Sequence, residues 1–418
     1  MNKKQIYEFN RDDTKALKGI AIIMMLLHHL AGFTDRYPMG FEKFNGSKWF
    51  IEEGFLTRLA FNMNFCVALF FFFGGYGIYK RLEKGSFNLT SSILGLLKKY
   101  WKIFFIFVPV GFIFFSRKGE NISALASRYN FNTIRELITI LISNFTLLSD
   151  SANSEWWFMK TYICALLMGT VYFKLTKKLN SLSGEIMIIF LIDIIFRSVL
   201  PNLSAVTGLG GLSGNMFFRR FCIEASSSSP FFAGIAFAKY DVLARLKKIL
   251  GNIPFTPVIG LAGAFIVIWC RCFIVASELD LIYAPLFIVS LSVFFDYLKP
   301  IKLLFGILGK HSTNMWLIHS FYCYYFLEVT KIVYSTHNVW IDLVILITLS
   351  FFSSVLVDLF YRYFFKGISF IQNKFNKITD QAETNTDAKN IKATPHRDSA
   401  SDTKSDFSAD CTEILQTY

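Results

Sequence analysis

The sequence predicts an all-α fold: a polytopic bundle of about ten transmembrane helices, followed by a disordered C-terminal tail. Three observations carry that prediction. Of 418 residues, 53% are hydrophobic and only 17% are charged, against about a quarter charged in soluble domains. The apolar residues also fall in blocks long enough, at roughly 20 residues, to cross about 30 Å of hydrocarbon. Finally, the lysines and arginines gather beside those blocks. The formal charge of +13 therefore reads as positive-inside topology and not as a nucleic-acid surface.

The elements follow in chain order. The first span is expected at 17–33. It carries two histidines and leads into a bulky aromatic region instead of a small-residue cleavage site, so it is expected to stay as a helix and not to be removed as a signal peptide. The second and third spans, 59–79 and 101–116, are joined by a segment holding Lys80, Arg81, Lys84, Lys98 and Lys99. Between about 117 and 155 lies a long loop whose apolar stretch, Ile134 to Leu148, is expected to dip into the interface without crossing. The fourth span, 156–174, runs into Lys174, Lys177 and Lys178. The fifth is expected at 185–201. The sixth, 221–238, is the least regular, interrupted by Glu224, the serines 226–229 and Pro230. Irregular backbone at that depth requires shielding by protein or by a water-filled cavity. Arg245, Lys247 and Lys248 follow it. The seventh and eighth spans, 254–277 and 281–298, precede Lys299 and Lys302, and the ninth and tenth are expected at 312–330 and 339–365.

Basic clusters thus precede the first span and follow each even-numbered one up to the eighth, which places both termini in the cytoplasm of a multi-pass cell-membrane protein. Counting 134–148 as a span would put the later basic loops outside. The membrane domain is expected over 1–371. Residues 372–418 are rich in Asp, Thr, Ser, Asn, Lys and Ala and almost lack large apolar residues, so they are expected to form a disordered cytoplasmic tail. Six of the seven cysteines lie in apolar stretches without a CxxC spacing, which reads as packing. No repeat of 20–50 residues, Gly-rich nucleotide loop or zinc-ligand run is visible, and no metal is expected.

The chemistry concentrates in the first span. Lys18 and His29 lie eleven residues apart, about three helical turns, so they share a face, with His29 about 16 Å further along the axis. His28 points about 100° away. Lys18 reads either as a cation snorkelling to headgroups or as a ligand for an anion. His29 reads either as a polar residue joining two helices or as a general base near neutral pH. Ionisable residues inside a membrane are rare and point to function.

Five stretches together resemble the acyltransferase-3 family of integral membrane acyltransferases, which includes O-antigen and capsule O-acetyltransferases. Lys18 and His29 sit at the positions of that family's Arg-x10-His motif, with lysine for arginine. Residues 67–79 read VALFFFFGGYGIY, similar to the family's apolar-aromatic run before Ser-Gly, with Gly74 at the serine position. Lys98, Lys99 and Lys102 match its basic cluster, again with lysine for arginine. Glu155-Trp156-Trp157-Phe158-Met159 matches a Trp-Phe-Leu-like stretch. Residues 308–319, LGKHSTNMWLIH, resemble the signature LGKxSxxIYLIH. The resemblance covers roughly residues 12–366.

It implies an acyl donor, usually acetyl-CoA, supplied from the cytoplasm and held by Lys18, Lys98, Lys99 and Lys102. It implies His29 as base, with His319 either in the same cavity or bonded to backbone. Glu155 and Trp157, at the external start of the fourth span, would meet a hydroxyl of a cell-surface polysaccharide or of its lipid-linked precursor, although Trp157 also reads as an interfacial anchor. Lysine makes no bidentate phosphate contact, so the donor site departs from the family there. The bilayer, the acyl-CoA and the glycan are the expected partners. Asp193 with Arg197, and Arg220 with Glu224, are expected as ion pairs within their helices. On the residues alone, a transporter or flippase for a glycan-related substrate is the alternative, though no paired broken halves are visible.

Overall fold

A computed structural model describes residues 8–33, 36, 53–111, 114, 134–202, 215–274 and 279–391. Among these the regular structure is helical and no strand occurs. The chain divides into two units, Met1–Leu359 and Phe360–Tyr418.

Helix α1, Arg11–Ala31, opens on a capping box. The Asn10 side chain accepts from the Asp12 and Asp13 amides, and Asp13 accepts from the Asn10 amide. This satisfies amides that the first turn leaves unpaired. Of the helices long and apolar enough to cross a membrane, α1 is the most enclosed, at 72% buried, which puts it in the centre of the first unit. Five other described helical stretches reach that length and hydropathy: Gly54–Glu83, Ser154–Thr176, Thr256–Phe273, Asp280–Tyr297 and Val339–Lys374. The first contains α2, Glu53–Asn62, a 3-10 turn and α3, Cys66–Glu83. The others are α6 (Trp157–Thr176, led by the 3-10 turn Ser154–Trp156), α11 (Thr256–Phe273), α12 (Asp280–Tyr297) and α15 (Val339–Ile391). The protein is a multi-pass membrane protein. Val258, Phe265, Ile266 and Trp269 of α11 are exposed, as suits a helix facing lipid tails.

The other four predicted spans fall on helical segments that are broken or carry charge. The third overlaps at 101–110 with α4, Leu89–Val110, which begins twelve residues before the expected start, holds Lys98, Lys99 and Lys102 and contains Pro109. The fifth is α7, Leu182–Ile194, passing into a π-helix at Ile195–Val199. The sixth divides at Ser228 into α8, Met216–Ser227, and α9, Ser229–Lys239. The ninth begins inside α13, Lys299–Ser320, and continues through a π-helix, Phe321–Tyr325, into α14, Leu327–Val333. The apolar stretch near 134–148 forms α5, Ile134–Phe145. At 12 residues it is about 18 Å long, short of a crossing. A further short helix, α10, covers Val242–Gly251.

Two helix pairs set the frame, and both rest on bare backbone. On α1, a Cβ at Gly19 would collide with the Phe305 carbonyl of α13. On α13, one at Gly309 would collide with the Lys15 carbonyl. In the same way Gly75 of α3 meets the Phe231 carbonyl of α9, and Gly234 meets that of Phe72. Small residues allow such close approach where lipid gives helices no hydrophobic drive to associate.

The charged end of α1 is fixed by a buried network. Asp13, fully enclosed, takes Lys302 on α13 and Lys247 on α10, and both lysines also reach Asp296 on α12. In the second unit α15 is helical to Ile391, beyond the expected start of the tail at 372. No Gly or Pro occurs between Gly367 and Ile391 to stop it. Residues from 392 onward lie outside the described residues.

Candidate active site

The opposite end of α1 carries His28 and His29, and the two rings diverge as the helical spacing predicts. The His28 Nδ1–H donates to the Ala60 carbonyl at 3.1 Å, which ties that ring to α2. His29 turns toward the start of α6. Its Nε2 lies 3.4 Å from Glu155 Oε2, and both side chains are almost wholly enclosed.

Glu155 is held there by its own loop. The Asn153 side chain accepts from the Glu155 amide at 3.0 Å and donates to Ser320 Oγ of α13 at 2.6 Å. The Trp156 indole, fully buried, donates to the Leu317 carbonyl at 3.1 Å. Arg36 donates to the other carboxylate oxygen of Glu155 at 3.1 Å, and Ser154 Oγ does so at 3.2 Å. The Arg36 guanidinium lies 4.1 Å over the Phe33 ring. On the far side of His29, the Tyr324 hydroxyl donates to the His29 carbonyl at 2.5 Å and sits 3.4 Å from Nδ1.

His319 stands directly behind, its ring centroid 4.9 Å from that of His29. It is fully buried, and its Nδ1–H donates to the Trp316 carbonyl at 2.6 Å. Its Nε2 has no hydrogen-bond partner among the described residues. The carbonyl fixes the proton on Nδ1 and leaves Nε2 a bare acceptor.

His29, Glu155 and Trp157 line a cavity of about 380 Å³. Its walls continue along α1 to Met25 and across α3 at Val67, Ala68 and Phe71. Beyond the histidines it reaches Asp193 and Arg197, Ser226, Ser227 and Ser229, and Arg271 with Asp280. The break between α8 and α9 therefore faces a polar space, which is the shielding that irregular backbone requires.

The lysines lie toward the other end of α1. Lys18 is half-buried, with Lys99 and Arg81 near enough to act on its charge. Lys98 is exposed, and Lys102 lies 3.6 Å from Asp358. The cavity ends at Met25, and the fully buried Ile22 stands between it and Lys18. Among the expected site residues, His29, His319 and Glu155 therefore meet, Trp157 joins them at the cavity wall, and the lysines form a separate basic cluster.

Asp193 and Arg197 are joined by two hydrogen bonds of 2.9 and 3.0 Å, and Arg220 donates to Glu224 at 2.6 Å. Sequence reasoning missed Arg36, Tyr324, Arg81, Arg271 and Asp280 as site residues. Only Arg81 had a visible signal, its place in a basic loop. Arg36, Tyr324 and Arg271 meet Glu155, His29 and Asn62 from segments far apart in sequence, and Arg271 and Asp280 pair between two successive helices.

A family model described as an acyltransferase domain, that of acyltransferase-3, matches residues 13–359. The match covers most of the chain and includes α1 from Asp13 onward, the Glu155 loop and the α13 motif. The chain belongs to the acyltransferase-3 family and is a membrane acyltransferase. No curated protein and no solved structure matches it.

Proposed function

We propose that the protein transfers an acetyl group from acetyl-CoA, bound at a cytoplasmic basic cluster, to a hydroxyl of a cell-surface polysaccharide or of its lipid-linked precursor. Both termini then lie in the cytoplasm and the bilayer is the plasma membrane. The observation that carries the reading is the meeting of His29 with Glu155, 3.4 Å apart, on the wall of a 380 Å³ cavity.

The acceptor oxygen attacks the thioester carbonyl, a C–O bond forms and the C–S bond breaks. An unprotonated ring nitrogen of His29 takes the hydroxyl proton and returns it to the departing thiolate. Glu155 opposes the charge of the imidazolium while the proton is held, as a paired carboxylate does in a site of low dielectric. Lys18, Lys98, Lys99 and Lys102 supply charge for the CoA phosphates. Arg81 adds the guanidinium that the lysine-for-arginine replacements remove from the family's motifs.

The test is acetyl transfer by the purified protein in nanodiscs. His29→Ala is expected to lower turnover by about 10² or more while His28→Ala falls far less. Near-normal turnover in His29→Ala, or the greater loss in His28→Ala, overturns the assignment. Surface glycan that carries the same acetylation in cells with and without the gene overturns the substrate class.

A further inference from the structure

A second cavity, of about 210 Å³, lies between α7, α9, α10 and α12. Every described residue lining it is apolar, among them Phe190 of α7, Phe237 of α9, Val242 and Leu246 of α10, and Leu281 and Leu286 of α12. Its shape follows from the helices. Lys247 meets Asp296 at 2.9 Å, which sets α10 beside the last turn of α12, whereas Leu281 and Leu286 belong to the first two turns. Leu286 and Asp296 are about 15 Å apart along that helix, so the cavity is a groove running lengthwise in the bundle. It opens sideways at Ile282 and Leu286, which are exposed on a membrane-spanning helix and so face lipid tails. At the far end Leu281, almost wholly enclosed, also lines the cavity beside His29 and stands between the two spaces.

The α10 end carries charge. Val242 and Leu246 turn one face of α10 into the groove, and Leu243 and Lys247 are buried. Arg245 lies about 60° round the helix from Val242, on the side away from those buried residues. Both Arg245 and Lys248 are exposed. Asp241, four positions before Arg245, is engaged by Lys80 at 3.0 Å.

An apolar groove offers water no hydrogen bonds, and walls left without neighbours forfeit the contacts of close packing. A hydrocarbon chain meets both conditions, and the two cations at the α10 end suit the phosphate of its headgroup. We propose that the groove between α7, α9, α10 and α12 binds one acyl chain of an anionic phospholipid, with the headgroup phosphate on Arg245 and Lys248. The site is separate from the acyl-transfer reading and does not depend on it.

The test uses the full-length protein in phosphatidylcholine nanodiscs doped with a phosphatidylglycerol that carries a diazirine on one acyl chain. A parallel set holds a phosphatidylcholine with the same chain. After illumination, labelled peptides are identified by mass spectrometry. Labelling of the groove residues of α9 and α12 is compared with that of Val258, Phe265 and Trp269 on α11, which measure general lipid contact. The phosphatidylglycerol probe is expected to label the groove about ten-fold more than the phosphatidylcholine probe, the order that two cations beside an anionic headgroup supply. The two probes are expected to label α11 alike. Arg245→Gln combined with Lys248→Gln is expected to bring the probes level in the groove. Leu286→Trp, which fills the mouth, is expected to remove groove labelling and leave that of α11 unchanged. Ala233→Phe fills the wall on α9 and decides if Leu286→Trp fails to fold. Equal groove labelling by the two probes in the unaltered protein overturns the proposal, as does a groove labelled no more than α11. Undiminished groove labelling in a folded, filled variant also overturns it. So does displacement of the label more effectively by a polyprenyl phosphate than by unlabelled phosphatidylglycerol, which assigns the groove to a carrier lipid instead.

Discussion

Single side chains decide the chemistry, and their partners separate their roles. His29 faces a carboxylate at 3.4 Å, whereas His28 is engaged by the Ala60 carbonyl at 3.1 Å. Glu155→Gln keeps the shape of the pair and removes its charge. It is expected to lower the turnover number by about 10-fold to 10²-fold, as the loss of one electrostatic partner does, with little change in acetyl-CoA affinity. Steady-state kinetics in nanodiscs checks this, and a rise in KM for acetyl-CoA with unchanged turnover would contradict it. Arg81→Gln is expected to do the reverse, weakening acetyl-CoA binding several-fold in a titration, while Lys18→Arg binds at least as tightly as the unaltered protein. The histidine and lysine positions were legible because a helix places residues eleven apart on one face and because α1 is unbroken from Arg11 to Ala31. Arg36 and Tyr324 were not. No local pattern in the sequence states that a residue just beyond α1 and another in a π-helix near 321–325 converge on the His29–Glu155 pair.

Elements show the same division. The long apolar helices were readable from length and hydropathy, and the irregularity near Glu224 and Pro230 marked the α8–α9 break. The π-helices were not readable, because a π-turn arises where packing is better served by one extra residue than by the regular ladder. Helix pairing was likewise hidden, although its traces are glycines. Gly309→Leu is expected to separate α1 from α13 and so lower Tm in detergent and abolish transfer together, since the collision is with the Lys15 backbone and backbone has no rotamer to yield. A folded, active Gly309→Leu protein would contradict the close approach. At Gly74 the same logic explains a departure from the family motif. A Cβ there would strike the Tyr162 hydroxyl and come within 2.8 Å of the Phe231 ring, so a serine requires Tyr162 to move.

At the scale of the whole molecule, the proposed topology with both termini in the cytoplasm predicts that a reporter fused after Lys366 is active only inside the cell. Truncation at residue 380 is expected to leave acetyl transfer intact in correctly inserted protein, because the cavity, the basic cluster and the Asp13 network all precede residue 360. Asp13→Asn, by contrast, leaves two enclosed lysines with less charge to face and is expected to cost roughly 3–5 kcal/mol in unfolding measurements. That network also sets a schedule for biogenesis. Asp13 and Lys302 are separated by 289 positions. At about 5–20 residues per second, the ribosome needs roughly 15–60 s between them. Through that interval α1 waits in the translocon or the lipid with its acid, lysine and histidines while α13 does not yet exist. A nascent chain stalled before Lys299 would already own all the described cavity-lining residues but Trp316, yet it would lack the helix that seats against Gly19. The packing that encloses α1 is therefore completed only as the last third of the chain is made.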